Sequence, residues 1–153
     1  MSFKKKQVDE DYCLRLENQL CFPLYATSKA VIRHYKPFLD KIGLTYTQYL
    51  VMMVLWEKET ISMQDLGEEL GLDSGTLTPL LVKLEEKGLV KRRRDEKDER
   101  RMDITATEKG IGLKVDAREV PTKMGTCIGV SPKEAMELKK ILAKIKANLD
   151  ERR

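Results

Sequence analysis

The stretch from Gln64 to Arg101 limits what this chain can become more than any other part of it. It reads as a helix, a short turn at Gly71-Leu72-Asp73, a second helix and a basic hairpin. In the second helix Leu77, Leu80, Leu81 and Leu84 fall at i, i+3, i+4 and i+7. That spacing gathers one apolar stripe on a 3.6-residue helix. The other face carries Ser74, Thr76, Thr78, Lys83 and Lys87, short hydroxyls first and cations later. A small, polar N-terminal end that can approach base edges is what a DNA-recognition helix needs. From Lys87 to Arg101 there are eight cations and four acids, an excess of +4 that equals the formal net charge of the whole chain. Positive charge is thus concentrated beside the recognition helix, where phosphates would be met. Cations interleaved with acids also make plain solvated surface; the turn-helix-hairpin setting is what favours DNA.

The 153 residues suit one domain with room for one sizeable core. No apolar run approaches the ~20 residues of a membrane span. Met1 to Tyr12 is basic, then acidic, and lacks the apolar stretch of a secretory signal. A cytoplasmic protein without membrane partners is expected. Cys13, Cys21 and Cys127 are too few and too scattered for a disulfide scaffold. No Cys/His spacing resembles a zinc site, no cofactor loop is present, and His34 is the only histidine. Neither a metal, a cofactor nor an enzyme active site is expected.

Residues 1 to 9 read as a basic arm. A long helix is expected from about Asp9 to Cys13 as far as Asp40, broken near residues 19 to 23 by Pro23 and bent again by Pro37. Thr45 with Gln48 fits a capping box that opens a strongly apolar helix to about Glu57. Thr60-Ile61 fits a short strand, and Ser62 with Asp65 starts a helix to about Leu70. Asp73 or Ser74 caps the recognition helix, and Gly88 ends it. Leu89 to Arg94 and Arg101 to Thr105 form a two-stranded wing around the Asp95–Arg100 loop. Thr105 with Glu108 starts a helix to about Val120, and residues 121 to 130 look irregular. Ser131-Pro132 with Glu134 opens the last helix.

The fold class is mainly α with a small β wing. A single domain spans residues 1–153, with a winged helix-turn-helix over about 45–105 and helices over 9–40 and 106–153 for dimerisation. The flanking helices hold more apolar positions than the small central module can cover, among them Leu16, Leu20, Leu138, Ile141, Ile145 and Leu149. A second copy would bury them. A two-fold dimer would set two recognition helices about 34 Å apart, one turn of DNA.

Leu72-Asp73-Ser74-Gly75-Thr76-Leu77-Thr78-Pro79-Leu80-Leu81, followed by Asp98-Glu99-Arg100, resembles the MarR family of winged-helix regulators. Leu16 to Phe22, Tyr25 and Leu44-Thr45-Tyr46 are similar to the group of organic hydroperoxide resistance regulators within it. The resemblance runs from about Leu16 into the last helix and is looser after Glu119. It implies a homodimeric repressor on a pseudo-palindromic double-stranded operator. Asp73, Ser74, Thr76, Thr78 and Lys83 would face the major groove, with Arg92 and Arg94 on the wing. Arg100, braced by Asp98, would enter the minor groove. Cys21 would sense organic hydroperoxides, with Tyr35 and Tyr46 near its thiolate, and oxidation would release the DNA. Cys127 would be a resolving thiol or a bystander; a low-molecular-weight thiol is the other resolving partner the family uses.

On residues alone, other readings stay open. A cysteine amid Leu20, Phe22 and Leu24 also suits an inert core position, and Tyr35 and Tyr46 suit core tyrosines. The regulator's input would then be a small aromatic ligand or an electrophile. A thiol peroxidase turning over at Cys21 is the reading from another class.

Overall fold

The computed structural model describes residues 9–152. The basic arm expected at the start falls, apart from Asp9, outside them. Two single 3₁₀ turns, Tyr12–Leu14 and Leu16–Asn18, precede helix α1, Cys21–Leu39. The helix expected to start near Asp9 to Cys13 is therefore two 3₁₀ turns there, and the break expected near residues 19 to 23 separates them from α1. Pro23 is the third residue of α1, where a backbone N–H has no intrahelical acceptor, so it starts the helix instead of kinking it. A 3₁₀ turn, Asp40–Ile42, ends at Gly43, whose φ of +69° favours glycine.

Helix α2, Tyr46–Lys58, opens with the expected capping box: Gln48 N–H donates to Thr45 Oγ1 and Thr45 N–H to Gln48 Oε1. Strand β1, Thr60–Ser62, leads into α3, Met63–Leu70, capped by Ser62. Gly71, with φ +66°, turns the chain into α4, Ser74–Glu86. Strands β2, Val90–Arg94, and β3, Met102–Ala106, form the wing hairpin. β1 pairs with β3 on its other edge, giving an antiparallel sheet in the order β1-β3-β2. The short strand and the hairpin expected separately thus form one sheet.

The apolar stripe of α4 does what its spacing demands. Leu77, Leu81 and Leu84 are fully buried, in one cluster with Met52 and Leu55 of α2, Leu66 of α3 and Ile104 of β3. Such packing leaves the opposite face of α4 to solvent.

Three helices follow the wing in close succession: α5, Glu108–Gly112; α6, Lys114–Ala117; and α7, Glu119–Ile128. Two expectations fail here. Thr107, not Thr105, caps α5, because Thr105 is taken up in β3, opposite Thr60 of β1 and Lys91 of β2. The segment expected to be irregular is mostly α7: Pro121 stands in its first turn, where no donor is missed, and Gly129, at φ +67°, ends it. Ser131 and Glu134 then cap α8, Pro132–Asp150, in the expected capping box.

α8 has no buried residue, and Leu138, Ile141 and Leu149 of its apolar stripe are exposed. α1 likewise exposes Phe22, Leu24, Tyr25 and Ile32. Among the described residues, no helix is long and apolar enough to cross a membrane.

Candidate DNA interface and thiol site

The reading end of α4 is built by its cap. Asp73 Oδ1 accepts the Thr76 backbone N–H at 2.8 Å. That bond, aided by the Thr76 side chain, holds the Asp73 carboxyl below the usual carboxylate range. Asp73 is therefore charged at neutral pH and occupied with the helix start. Ser74, Thr76 and Thr78 are exposed beyond it, and Lys83 is exposed further along. An open groove separates this end from the wing, with Ser74, Asp98 and Arg100 on its walls.

The wing tip is stiffened by its own acids. Asp95 Oδ1 accepts the N–H groups of Lys97 at 2.7 Å and Asp98 at 3.2 Å. Asp98 Oδ1 accepts the Arg100 N–H at 3.0 Å, and the Arg101 N–H donates to the Asp98 carbonyl at 2.9 Å. Asp98 thus braces Arg100 through the main chain and leaves the exposed guanidinium free to reach outward. Arg94 donates from Nη1 to the Glu99 carbonyl at 3.0 Å across the tip.

Arg92, expected on the wing at the DNA, is also tied within its own chain. Its guanidinium is tied to Glu85 of α4, with Nε and Nη2 each 2.9 Å from Oε2. Lys87, counted with the DNA-side cations, is exposed but also tied within the chain: Nζ donates to the Gly43 carbonyl at 2.6 Å and to Gln48 Oε1 at 2.9 Å. Sequence reading missed Glu85, and it found Gln48 only as the capping partner of Thr45. Both partnerships join separate elements, so no helical or strand spacing signals them.

Cys21 is exposed and is the first residue of α1. No side chain caps this helix start. Unpaired N–H groups at such a position favour nearby negative charge. Tyr35 and Tyr46 stack with ring centroids 4.8 Å apart, and Tyr49 lies 6.0 Å from Tyr35. Burial, and then Tyr46, push the Tyr35 phenol above its ordinary range, so it stays a hydroxyl donor. Tyr35 is fourteen residues along α1 from Cys21, about 21 Å at 1.5 Å per residue. A single chain therefore does not bring thiol and tyrosines together. Cys127 is exposed in the last turn of α7, and Cys13 is exposed in the first 3₁₀ turn. His34 is exposed and hydrogen-bonded to the Ala30 carbonyl.

Comparison with known proteins identifies this arrangement. Residues 33–117 match the family model of the SarA/Rot transcriptional regulators. The chain is 48% identical over 128 residues to the organic hydroperoxide resistance transcriptional regulator of Bacillus subtilis (strain 168), covering 84% of this chain and 85% of that one. It belongs to the SarA/Rot and MarR-type winged-helix transcriptional regulators. A MarR-family regulator from Rhodococcus sp. RHA1 shares the regulator's fold at TM-score 0.76 and 28% identity, over 86% of this chain and 94% of that one. Reduced AbfR bound to DNA matches it at TM-score 0.78 and 36% identity, over 90% and 94% of the two chains. AbfR in its disulfide form matches at TM-score 0.65 and 36% identity, over 86% and 93%.

Proposed function

We propose that the regulator is a homodimeric, cytoplasmic repressor that senses organic hydroperoxides through Cys21 and leaves its operator when that thiol is oxidised. The observation that carries this reading is the exposed Cys21 at the uncapped start of a helix that also exposes Phe22, Leu24, Tyr25 and Ile32. The stripe of α8 and the exposed face of α1 are covered by a second copy. In that dimer Tyr35 and Tyr46 of the partner subunit supply the hydroxyls that their own chain holds too far from Cys21. Ile141→Glu on α8 is expected to yield a monomer in sedimentation; a persisting dimer would remove α8 from the interface.

The chemistry balances without a cofactor. The Cys21 thiolate attacks one peroxide oxygen, the O–O bond breaks, and the departing alkoxide takes a proton to leave as an alcohol. Cys21 is then a sulfenic acid. A second thiol, from Cys127 of the partner subunit or a small molecule, attacks that sulfur, a disulfide forms and water leaves. The oxidised dimer favours a different separation of the two α4 helices, and operator affinity falls by a population shift. A hundredfold loss requires oxidation to disfavour the bound state by roughly 3 kcal/mol.

A mobility-shift assay on the protein's own upstream region tests this. Wild type, Cys21→Ser and Cys127→Ser are each compared with and without an organic hydroperoxide. Wild type is expected to bind and then release, while Cys21→Ser stays bound. Cys127→Ser reports whether that thiol resolves the sulfenic acid. Release of Cys21→Ser by peroxide would overturn the sensor assignment and favour a regulator with a ligand input.

A further inference from the structure

The last turn of α4 is tied to its surroundings on two sides, and Lys87 is on both. Its Nζ reaches the Gly43 carbonyl, at the turn where α1 ends, and Gln48 Oε1, in the first turn of α2. Gln48 is 3% exposed, and its Oε1 also accepts the Thr45 N–H at 3.1 Å. A carbonyl oxygen has two lone pairs, so the lysine completes an acceptor that the capping box alone leaves half used. On the far side, the Lys87 carbonyl accepts Lys109 Nζ at 2.8 Å, and the Gly88 carbonyl accepts the Thr107 hydroxyl at 2.5 Å. At the other end, the exposed Ser74, Thr76 and Thr78 lie beside a cap, Asp73, that binds only its own helix. The buried Leu77, Leu80, Leu81 and Leu84 seat α4 along its length, and these bonds add a fixed point at its C-terminal end.

We propose that Lys87 is a positioning residue. It fixes the angle of the recognition helix against the α1–α2 corner, and so the separation of the two recognition helices in the dimer. This rests on the dimeric reading above. Leverage makes a small tilt matter. The thirteen residues of α4 span about 20 Å, so a 10° tilt about its C-terminal end moves the reading end by about 3.5 Å. That is about one base-pair step of DNA. Hydrogen bonds from an ammonium are stronger than neutral ones, which suits a residue that resists such a tilt.

A phosphate-contacting lysine behaves differently from a positioning one. Its loss weakens every sequence alike and lowers the salt slope by about one. The experiment is fluorescence anisotropy with the operator footprinted in the protein's own upstream region, and with duplexes gaining or losing one base pair at its centre. Wild type, Lys87→Met and Lys87→Arg are compared; residue 87 is exposed, so both variants are expected to fold. Wild type is expected to lose about tenfold or more in affinity on each altered spacing. Lys87→Met is expected to bind the native spacing more weakly, by about three- to tenfold, yet to vary less than about threefold among spacings. Lys87→Arg keeps the charge and the donors and is expected to follow wild type.

A Lys87→Met profile as steep as wild type would overturn the proposal. So would a uniform loss on every spacing with a reduced salt slope, which marks a phosphate contact. A flat wild-type profile would instead refute the paired half-site geometry itself, and the role of Lys87 with it.

Discussion

Glu85 in the last turn of α4 grips Arg92 of the wing by side chain and main chain together. Its Oε2 meets Nε and Nη2 at 2.9 Å, and its Oε1 accepts the Arg92 backbone N–H at 3.1 Å. These bonds, the backbone one foremost, hold the Glu85 carboxyl below the usual carboxylate range. A carboxyl depressed on folding contributes stability above its unfolded pKa and loses it as pH falls through the lowered value. The anchor is therefore intact through neutral and mildly acidic pH. Glu85→Gln is expected to weaken operator binding several-fold with little change in melting temperature. Arg92→Ala is expected to leave the salt slope of binding almost unchanged, since its charge is already matched by Glu85. A slope reduced by about one, measured by anisotropy at several salt concentrations, would make Arg92 a phosphate contact after all.

Arg100 stands in the opposite position, with its backbone braced by Asp98 and its side chain exposed. Arg100→Ala is expected to lower operator affinity about tenfold or more with an unchanged melting temperature, because a narrow A·T minor groove rewards an inserted arginine. Exposed Arg93, on the same hairpin, is expected to act as a phosphate contact, so Arg93→Ala lowers the salt slope by about one. Unchanged affinity of Arg100→Ala in a mobility shift would refute the wing assignment.

Tyr35 remains a phenol at neutral pH because burial, and then Tyr46, raise it. On the proposed dimeric reading it donates to the Cys21 thiolate of the other subunit. Tyr35→Phe is expected to slow oxidation of Cys21 by about tenfold or more, the worth of a hydrogen bond to a charged group. The wild-type rate, followed by stopped-flow with tert-butyl hydroperoxide, is expected to show no loss from ionisation of Tyr35 below its ordinary value of 10.0. An unaltered rate in Tyr35→Phe would return this residue to the core.

Two neighbouring glycines separate by what surrounds them. A Cβ on Gly110 would run into the Leu89 carbonyl oxygen and crowd the Met52 methyl at 3.2 Å, while the Trp56 indole N–H donates to the Gly110 carbonyl at 2.8 Å. Gly110→Ala is expected to destabilise the fold by about 1–3 kcal/mol through overpacking. A Cβ on Gly112 meets nothing within 4 Å, and Gly112→Ala is expected to stabilise by about 0.4–1 kcal/mol. Urea denaturation of both variants checks the pair; equal effects would refute the distinction.

The parts of the fold set by neighbours in sequence were legible before any coordinates. Thr45 with Gln48, Ser62 with Asp65, Asp73 before Ser74, and Ser131 with Glu134 all cap where their spacing says, since each bond spans only a few residues. The α4 stripe was legible for the same reason. What failed depended on distant partners. Thr105 and Thr107 are both threonines near a helix start, and only pairing with β1 and β2 assigns Thr105 to the sheet. Residues 121 to 130 look irregular in the sequence, yet α7 packs against α1 and places Pro121 in its first turn, where it does no harm. The exposure of the polar residues of α4 was legible, but the ties of Arg92 to Glu85 and of Lys87 to Gly43 and Gln48 were not. A cation's partner across elements leaves no periodic trace.

The exposed residues at the start of recognition helix α4 and the bonded residues at its C-terminal end do not overlap. Ser74, Thr76 and Thr78 support no other element, whereas Glu85 and Lys87 support the wing and the α1–α2 corner. The two sets are therefore open to different evolutionary histories. After a gene duplication, one copy can change the first set and acquire a new family of target promoters without passing through an unfolded intermediate. A change in the second set alters affinity for all of its promoters at once. Selection can thus diversify the address that such a regulator reads while the machinery that responds to oxidant stays the same.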